Sequence, residues 1–131
     1  MRYLADTHIL LWAFEGGAKI SGSVSQALRD RSSEVFFSPV SLWEIAIKYQ
    51  TGKLVIHGVT PEEFLAELED SFFEPLPLDN QVIASSYQVP RLHGDPFDRL
   101  LMWQAIKHDC TLLSADPATD QYASHGLRVV H

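Results

Sequence analysis

Four acidic residues spread along the chain, Asp6, Glu44, Asp98 and Asp116, are the side chains best suited to chemistry. Brought to one crevice, four carboxylates repel one another, and some of their pKa values rise. Such a cluster is costly unless a cation neutralises it. An all-oxygen donor set suits Mg²⁺, Mn²⁺ or Ca²⁺, and Mg²⁺ is commonly held by one or two carboxylates with water and substrate phosphate. One or two such ions orient an attacking water, lower its pKa and stabilise the leaving oxygen in phosphodiester hydrolysis. No nucleophilic side chain is then needed.

Each acid also has a plainer explanation. Asp6, Asp95 and Asp116 sit where helices are expected to begin, and Asp is among the preferred N-caps. Asp95 and Asp116 each precede a proline, which strengthens the capping reading. Glu44 lies in mid-helix beside the apolar stripe Val40, Trp43 and Ile47, with Lys48 four residues on as a partner. Asp98 shares a helix face with Leu101, Met102 and Ala105, and its plainer roles are stabilisation of the first helical turn and a pair with Arg99.

Other chemistries fit less well. The six histidines show no HExxH motif and no Cys/His zinc spacing. His8 and His93 neighbour the acids, and a surface role is expected for both. Cys110 is the only cysteine, so no internal disulfide forms, and it is expected in the core. No glycine-rich phosphate loop occurs. Lys48, Lys53, Arg91 and Arg99 are the nearest cations for phosphate contacts, against a default of solvated surface.

The elements that must position these residues alternate. Strands are predicted at Tyr3 to Ala5, Val35 to Phe37, Phe73 to Leu76, Thr111 to Leu113 and Leu127 to Val130. Between them, helices are predicted over Thr7 to Phe14, Ser23 to Arg31, Pro39 to about Gln50, Thr60 to about Asp70, Asp79 to about Tyr87 and Asp95 to about His108. Asp116-Pro117 starts one more, short helix. Ser38-Pro39 supplies an N-cap and a first-turn proline, and Thr60-Pro61-Glu62-Glu63 has the form of a capping box. Strands separated by helices imply a three-layer α/β/α sandwich with a mainly parallel central sheet. In such sheets the functional crevice lies beyond the carboxyl ends of the strands. Asp6 follows the first strand directly, and Asp116 follows the Thr111 strand after two small residues.

The 131 residues fit a single domain, and the 46% hydrophobic content is sufficient for one sizeable core. No signal peptide or membrane span is apparent, and a cytoplasmic protein is expected. The formal charge of −7 counts against nucleic-acid binding, unless the acids gather on metal ions and leave the rest of the surface free to meet phosphate.

Four segments, YLADTHILLW, SPVSLWEIAIK, HGDPFDRLLMWQA and TLLSADPATDQY, resemble in order and spacing the four acidic blocks of PIN-domain proteins, specifically the VapC-like toxins of type II toxin–antitoxin systems. The resemblance covers nearly the whole chain. It implies a metal-dependent endoribonuclease, cutting RNA with Mg²⁺ or Mn²⁺, commonly a homodimer and inhibited by a small antitoxin protein. The block acids fall on Asp6, Glu44, Asp98 and Asp116. Asp6, Glu44 and Asp98 would hold the principal ion, directly or through water, and Asp116 would complete the shell or position a second ion. Asp95 competes with Asp98 in the third block, and Asp120 with Asp116 in the fourth. Thr7 and Ser114 match positions where a small hydroxyl residue is usual. Trp12, Phe14 and Trp43 are candidate aromatic contacts for the antitoxin. The alternatives are a PIN-like nucleic-acid-binding module without catalysis and a structure-specific DNA nuclease. A receiver-like phosphoacceptor domain fits poorly, since no lysine follows Lys107.

Overall fold

The computed structural model describes every residue from Met1 to His131. Its five strands, β1 (Arg2–Ala5), β2 (Glu34–Phe37), β3 (Glu74–Pro75), β4 (Thr111–Leu113) and β5 (Val129–Val130), form one sheet in the order β3-β2-β1-β4-β5. Every pairing is parallel. The chain runs outward from β1 through β2 to β3, then returns to the other side of β1 for β4 and β5. The reversal falls between β1 and β4, where Leu4 pairs with Leu112 and Ala5 with Leu113. A crevice opens at such a switch point, beyond the strand ends.

Side chains alternate across the strands with period two, which divides the core. Tyr3, Ala5, Val35, Phe37 and Leu113 enter one cluster with Ile9, Leu10, Val24, Phe64 and Leu68. Leu4, Phe36 and Leu112 enter a second with Val82, Leu101, Met102 and Ala105. Helices α1 (Thr7–Ala13), α2 (Gly22–Arg29) and α4 (Pro61–Glu69) thus cover one face, and α5 (Asn80–Ser85) and α6 (Pro96–Lys107) the other. Helix α3 (Pro39–Gln50) serves both, placing Ile45 in the first cluster and Val40 in the second. The expected α/β/α sandwich is present, with a wholly parallel sheet.

The helix starts follow local chemistry. Ser38 accepts the Val40 amide at 3.1 Å, so α3 leaves β2 without a loop. Thr60 and Glu63 exchange side-chain and backbone hydrogen bonds in a full capping box. Helix α2 begins one residue earlier than predicted because Ser21, not a later serine, caps it through the Val24 amide. It stops at Arg29, where the Asp30 carboxylate accepts from Ser32 and Ser33 in a turn.

The edge strands are shorter than expected, two residues each. In β3 the second residue is Pro75, which cannot donate to a ladder. The last helix is a 3₁₀ segment, Pro117–His125, ended by Gly126 at φ 94°, a left-handed conformation that favours glycine. No helix is long and apolar enough to cross a membrane.

Candidate metal centre

Asp6 stands at the end of β1 and caps α1, its Oδ1 accepting the Ile9 amide at 2.9 Å. Asp116 stands two residues beyond Ser114 and caps the 3₁₀ segment, its Oδ1 accepting the Ala118 amide at 2.9 Å. Capping and site chemistry are therefore compatible here. One carboxylate oxygen serves the helix start, and the second is left to other partners, which for Asp116 Oδ2 is His93 Nε2 at 2.7 Å. Asp6, Asp98 and Asp116 line one shallow cleft of about 240 Å³ together with His8, Trp12 and Ala115. Asp6, Asp98, Ser114 and Asp116 also line a smaller depression that reaches down to Leu101 and Leu112.

Glu44, expected as a ligand, lines neither part of this cleft and is 2% exposed, close enough for its charge to act on Asp6 and Asp98. Its Oε1 accepts the Thr7 hydroxyl at 2.6 Å and its Oε2 pairs with Lys48 Nζ at 2.5 Å. The helical partner expected from spacing is present, and so is the burial that makes an unpaired carboxylate costly. Thr7 ties the glutamate to the residue next to Asp6, and the Glu44 hydrogen bond holds the Lys48 ammonium above its ordinary pKa.

The electrostatics mark the crevice. Burial raises the Asp6 pKa, opposed by Ser114, the Ile9 amide and His8. Asp98 is pushed up to about 7, first by burial and then by the charges of Asp95 and Glu44, with a smaller push from Asp6. Asp116 moves the other way, held below the usual carboxylate range chiefly by its hydrogen bond with His93.

His93 is the residue that sequence reasoning undervalued. Its side chain is 13% exposed, and Nε2 lies 2.7 Å from Asp116 Oδ2 and 3.4 Å from Asp98 Oδ2. One donor atom from each of these three residues lies within 4.8 Å of the others. Nδ1 accepts the Asp95 amide at 3.1 Å, so in the neutral ring the proton sits on Nε2 and faces the two carboxylates. The Arg99 guanidinium donates to the His93 carbonyl at 2.7 Å, and the Tyr122 hydroxyl accepts the His93 amide at 2.8 Å. The sequence signal was the HGDP turn, in which the imidazole folds back onto the Asp95 amide.

Other candidates take different places. Asp95 caps α6 through the Phe97 amide at 2.8 Å. Asp120 pairs with His131 at 2.9 Å and lines neither part of the acidic cleft. Lys48 is occupied by Glu44 and Arg99 by the His93 carbonyl, which leaves Arg91 exposed as the least committed cation nearby. Lys53 follows the C-terminal end of α3 and lines none of these clefts. Phe14 is half-buried and packs against Phe64 at 5.3 Å and Phe73 at 6.1 Å, which takes up part of its ring. Trp12 lies at the cleft beside His8, and Trp43 is 63% exposed. Cys110 is buried, as expected, and burial raises its thiol pKa.

The donor set fits a hard divalent cation. One imidazole nitrogen from His93 and one carboxylate oxygen each from Asp98 and Asp116 lie within 4.8 Å of one another, close enough to share one ion, and the Asp6 carboxylate lines the same cleft as the two aspartates. A parallel α/β/α sandwich with acids gathered at its switch point defines the class of protein. More specifically, the PIN domain family model matches residues 3–124, and the chain belongs to that family.

Among solved structures the chain is similar to VapBC2 from Rickettsia felis, bound to a DNA fragment from their promoter, at 17% identity and TM-score 0.70, over 99% of this chain and 98% of that one. It is also similar to FitAcB from Neisseria gonorrhoeae, at 20% identity and TM-score 0.65, over 98% and 96% of the two chains. A toxin–antitoxin complex from Klebsiella pneumoniae shares 18% identity at TM-score 0.62, over 98% and 96%. At these identities the likeness concerns the fold. No curated protein matches the sequence.

Proposed function

We propose that this chain is a divalent-metal-dependent endoribonuclease acting as the toxin of a type II toxin–antitoxin pair. The observation that carries the reading is the convergence of Asp6, Asp98 and Asp116 on one cleft. Family membership and the similarity to VapBC and FitAB complexes support it.

In this reading Asp6, Asp98 and Asp116 hold Mg²⁺ or Mn²⁺. The ion, when bound, supplies a Lewis acid that makes water nucleophilic and offsets charge on the leaving oxygen of the phosphodiester. The protein's own groups do the positioning. The Ile9 and Ala118 amides fix one oxygen of Asp6 and of Asp116, leaving the other to face the cleft. Thr7 and Lys48 fix the Glu44 carboxylate in place, and it is one of the groups that raise the Asp98 pKa. His93 orients Asp116 through the Nε2 hydrogen bond. Ser114 accepts the Asp116 amide at 3.1 Å and shapes the turn between β4 and the site.

The regulatory partner in this reading is a small antitoxin that lays an apolar segment against aromatic surface such as half-buried Trp12 and places a basic side chain in the acidic cleft. The chain works in the cytoplasm as a homodimer. Purified chain incubated with a mixed RNA pool and Mg²⁺ or Mn²⁺ should cut it, EDTA should stop the reaction, and matched DNA should survive. An absence of cutting from folded protein with either metal would contradict the enzymatic reading.

A further inference from the structure

The largest concavity, about 620 Å³, lies beside the acidic cleft, and none of the four carboxylates lines it. Trp43, Tyr87, Phe97 and Leu100 form its apolar walls, and Arg91 and Arg99 stand at its rim. It shares helix α6 with the acidic cleft, and its α3 wall is next in sequence to buried Glu44. Trp43 directly precedes Glu44 on α3, Phe97 directly precedes Asp98 on α6, and the two rings pack edge to face with centroids 5.3 Å apart. The connection is therefore structural as well as spatial.

Two features distinguish this cavity from an unfinished piece of core. Trp43 is 63% exposed and Tyr87 82%, so aromatic faces remain turned to solvent where a core would cover them. Arg91 is exposed and has no carboxylate partner, in a chain of net charge −7. Aromatic faces accept any unpaired base by stacking, and an uncommitted guanidinium accepts phosphate. An acidic helix or a second acidic copy would meet the same cation, but neither makes use of open stacking faces next to the proposed reaction centre. The pairing of π-faces with a free cation points to a single strand, because a duplex keeps its bases stacked inside.

We propose that this cleft seats unpaired nucleotides of an RNA substrate beside the scissile phosphate, with a base against Trp43 and Tyr87 and a phosphate on Arg91. The proposal rests on the ribonuclease reading above and names the substrate form of that site, single-stranded RNA.

Fluorescence anisotropy with a labelled, unstructured oligoribonucleotide in EDTA measures binding without turnover. Tyr87→Ala and Arg91→Ala alter exposed residues, and thermal melting checks that each variant folds. Each should weaken binding about tenfold, as loss of one stacked base or one phosphate contact implies. In Mn²⁺ each should raise KM similarly and leave kcat within about twofold. A duplex of the same sequence should bind the wild type more weakly than the single strand.

Unchanged Kd and KM in both variants, with RNA still cut, would overturn the cleft and leave the nuclease reading intact. Equal affinity of duplex and single strand would also overturn it. Sedimentation supplies a further outcome against it: a Tyr87→Ala variant that dissociates from dimer to monomer with RNA affinity unchanged would assign the cleft to a second copy of the chain. Absence of cutting by wild type with any metal, alongside variant-sensitive single-strand binding, would remove the nuclease and retain the cleft.

Discussion

Thr7 Oγ1 donates a 2.6 Å hydrogen bond to Oε1 of Glu44, joining the residue after the first-strand carboxylate to a glutamate from a different helix. Thr7 has one hydroxyl proton and Glu44 takes it, so the Ser41 hydroxyl 3.0 Å away acts as donor to Thr7. These hydroxyls tie buried Glu44 to the residue next to Asp6, which makes Thr7 a positioning residue.

Thr7→Val preserves shape and deletes the donor, leaving a buried acceptor unsatisfied. The expected cost is about 1–3 kcal/mol of folding stability, read from urea unfolding of the metal-free protein. Thr7→Ser should recover most of it. Equal stability of Thr7→Val and wild type would show that Glu44 does not depend on this contact.

Lys48→Met should destabilise the protein by about 1–2 kcal/mol, less than the roughly 3–5 of a fully buried broken pair, because a third of the Lys48 side chain reaches solvent. The double variant Lys48→Met/Glu44→Gln should regain part of that loss, since no buried charge is then left alone. A double-mutant cycle with no coupling would contradict the pairing.

The metal-free protein carries a pH signature from Asp98. Its folded pKa of about 7 lies above the ordinary 3.8, so between those values the folded state binds the extra proton. Stability from this group is greatest at low pH and is lost as pH rises from about 4 to about 7. Asp98→Asn removes the effect. Its Tm advantage over wild type should be small near pH 4, grow through that window and level off above it. An advantage that stays constant with pH would contradict the crowding of acids at this position.

Asp95→Ala should cost about 1 kcal/mol through loss of the α6 cap, and Asp95→Asn much less, with RNA cleavage retained in both. Complete loss of cleavage in Asp95→Asn would move the third ligand from Asp98 to Asp95.

Much of this architecture was legible in the chain. The strand-to-acid spacing of Tyr3–Asp6 and Thr111–Asp116 predicted which sheet edge carries the site, because a parallel sheet places strand ends and helix starts together. Glu44 was marked by the conflict between its charge and its apolar stripe. His93 was not legible, since its position depends on the backbone folding through Gly94 onto the Asp95 amide, a contact with no periodic signal. Helical spacing did not reveal that Phe14 packs against Phe64 and Phe73, from more than forty residues away, which leaves only part of its ring exposed. The capping roles of Asp6 and Asp116 were read as rivals to site roles, whereas two oxygens per carboxylate permit both.

The central claim is that the gathered carboxylates hold the ion on which RNA cleavage depends. Its most direct test is to measure Mn²⁺ binding by calorimetry and RNA cutting on the same samples of wild type and Asp98→Asn. The account predicts that wild type binds Mn²⁺ and cuts, and that folded Asp98→Asn loses both, binding at least tenfold more weakly. Cutting by wild type in EDTA, or wild-type Mn²⁺ affinity and cutting in Asp98→Asn, would contradict it.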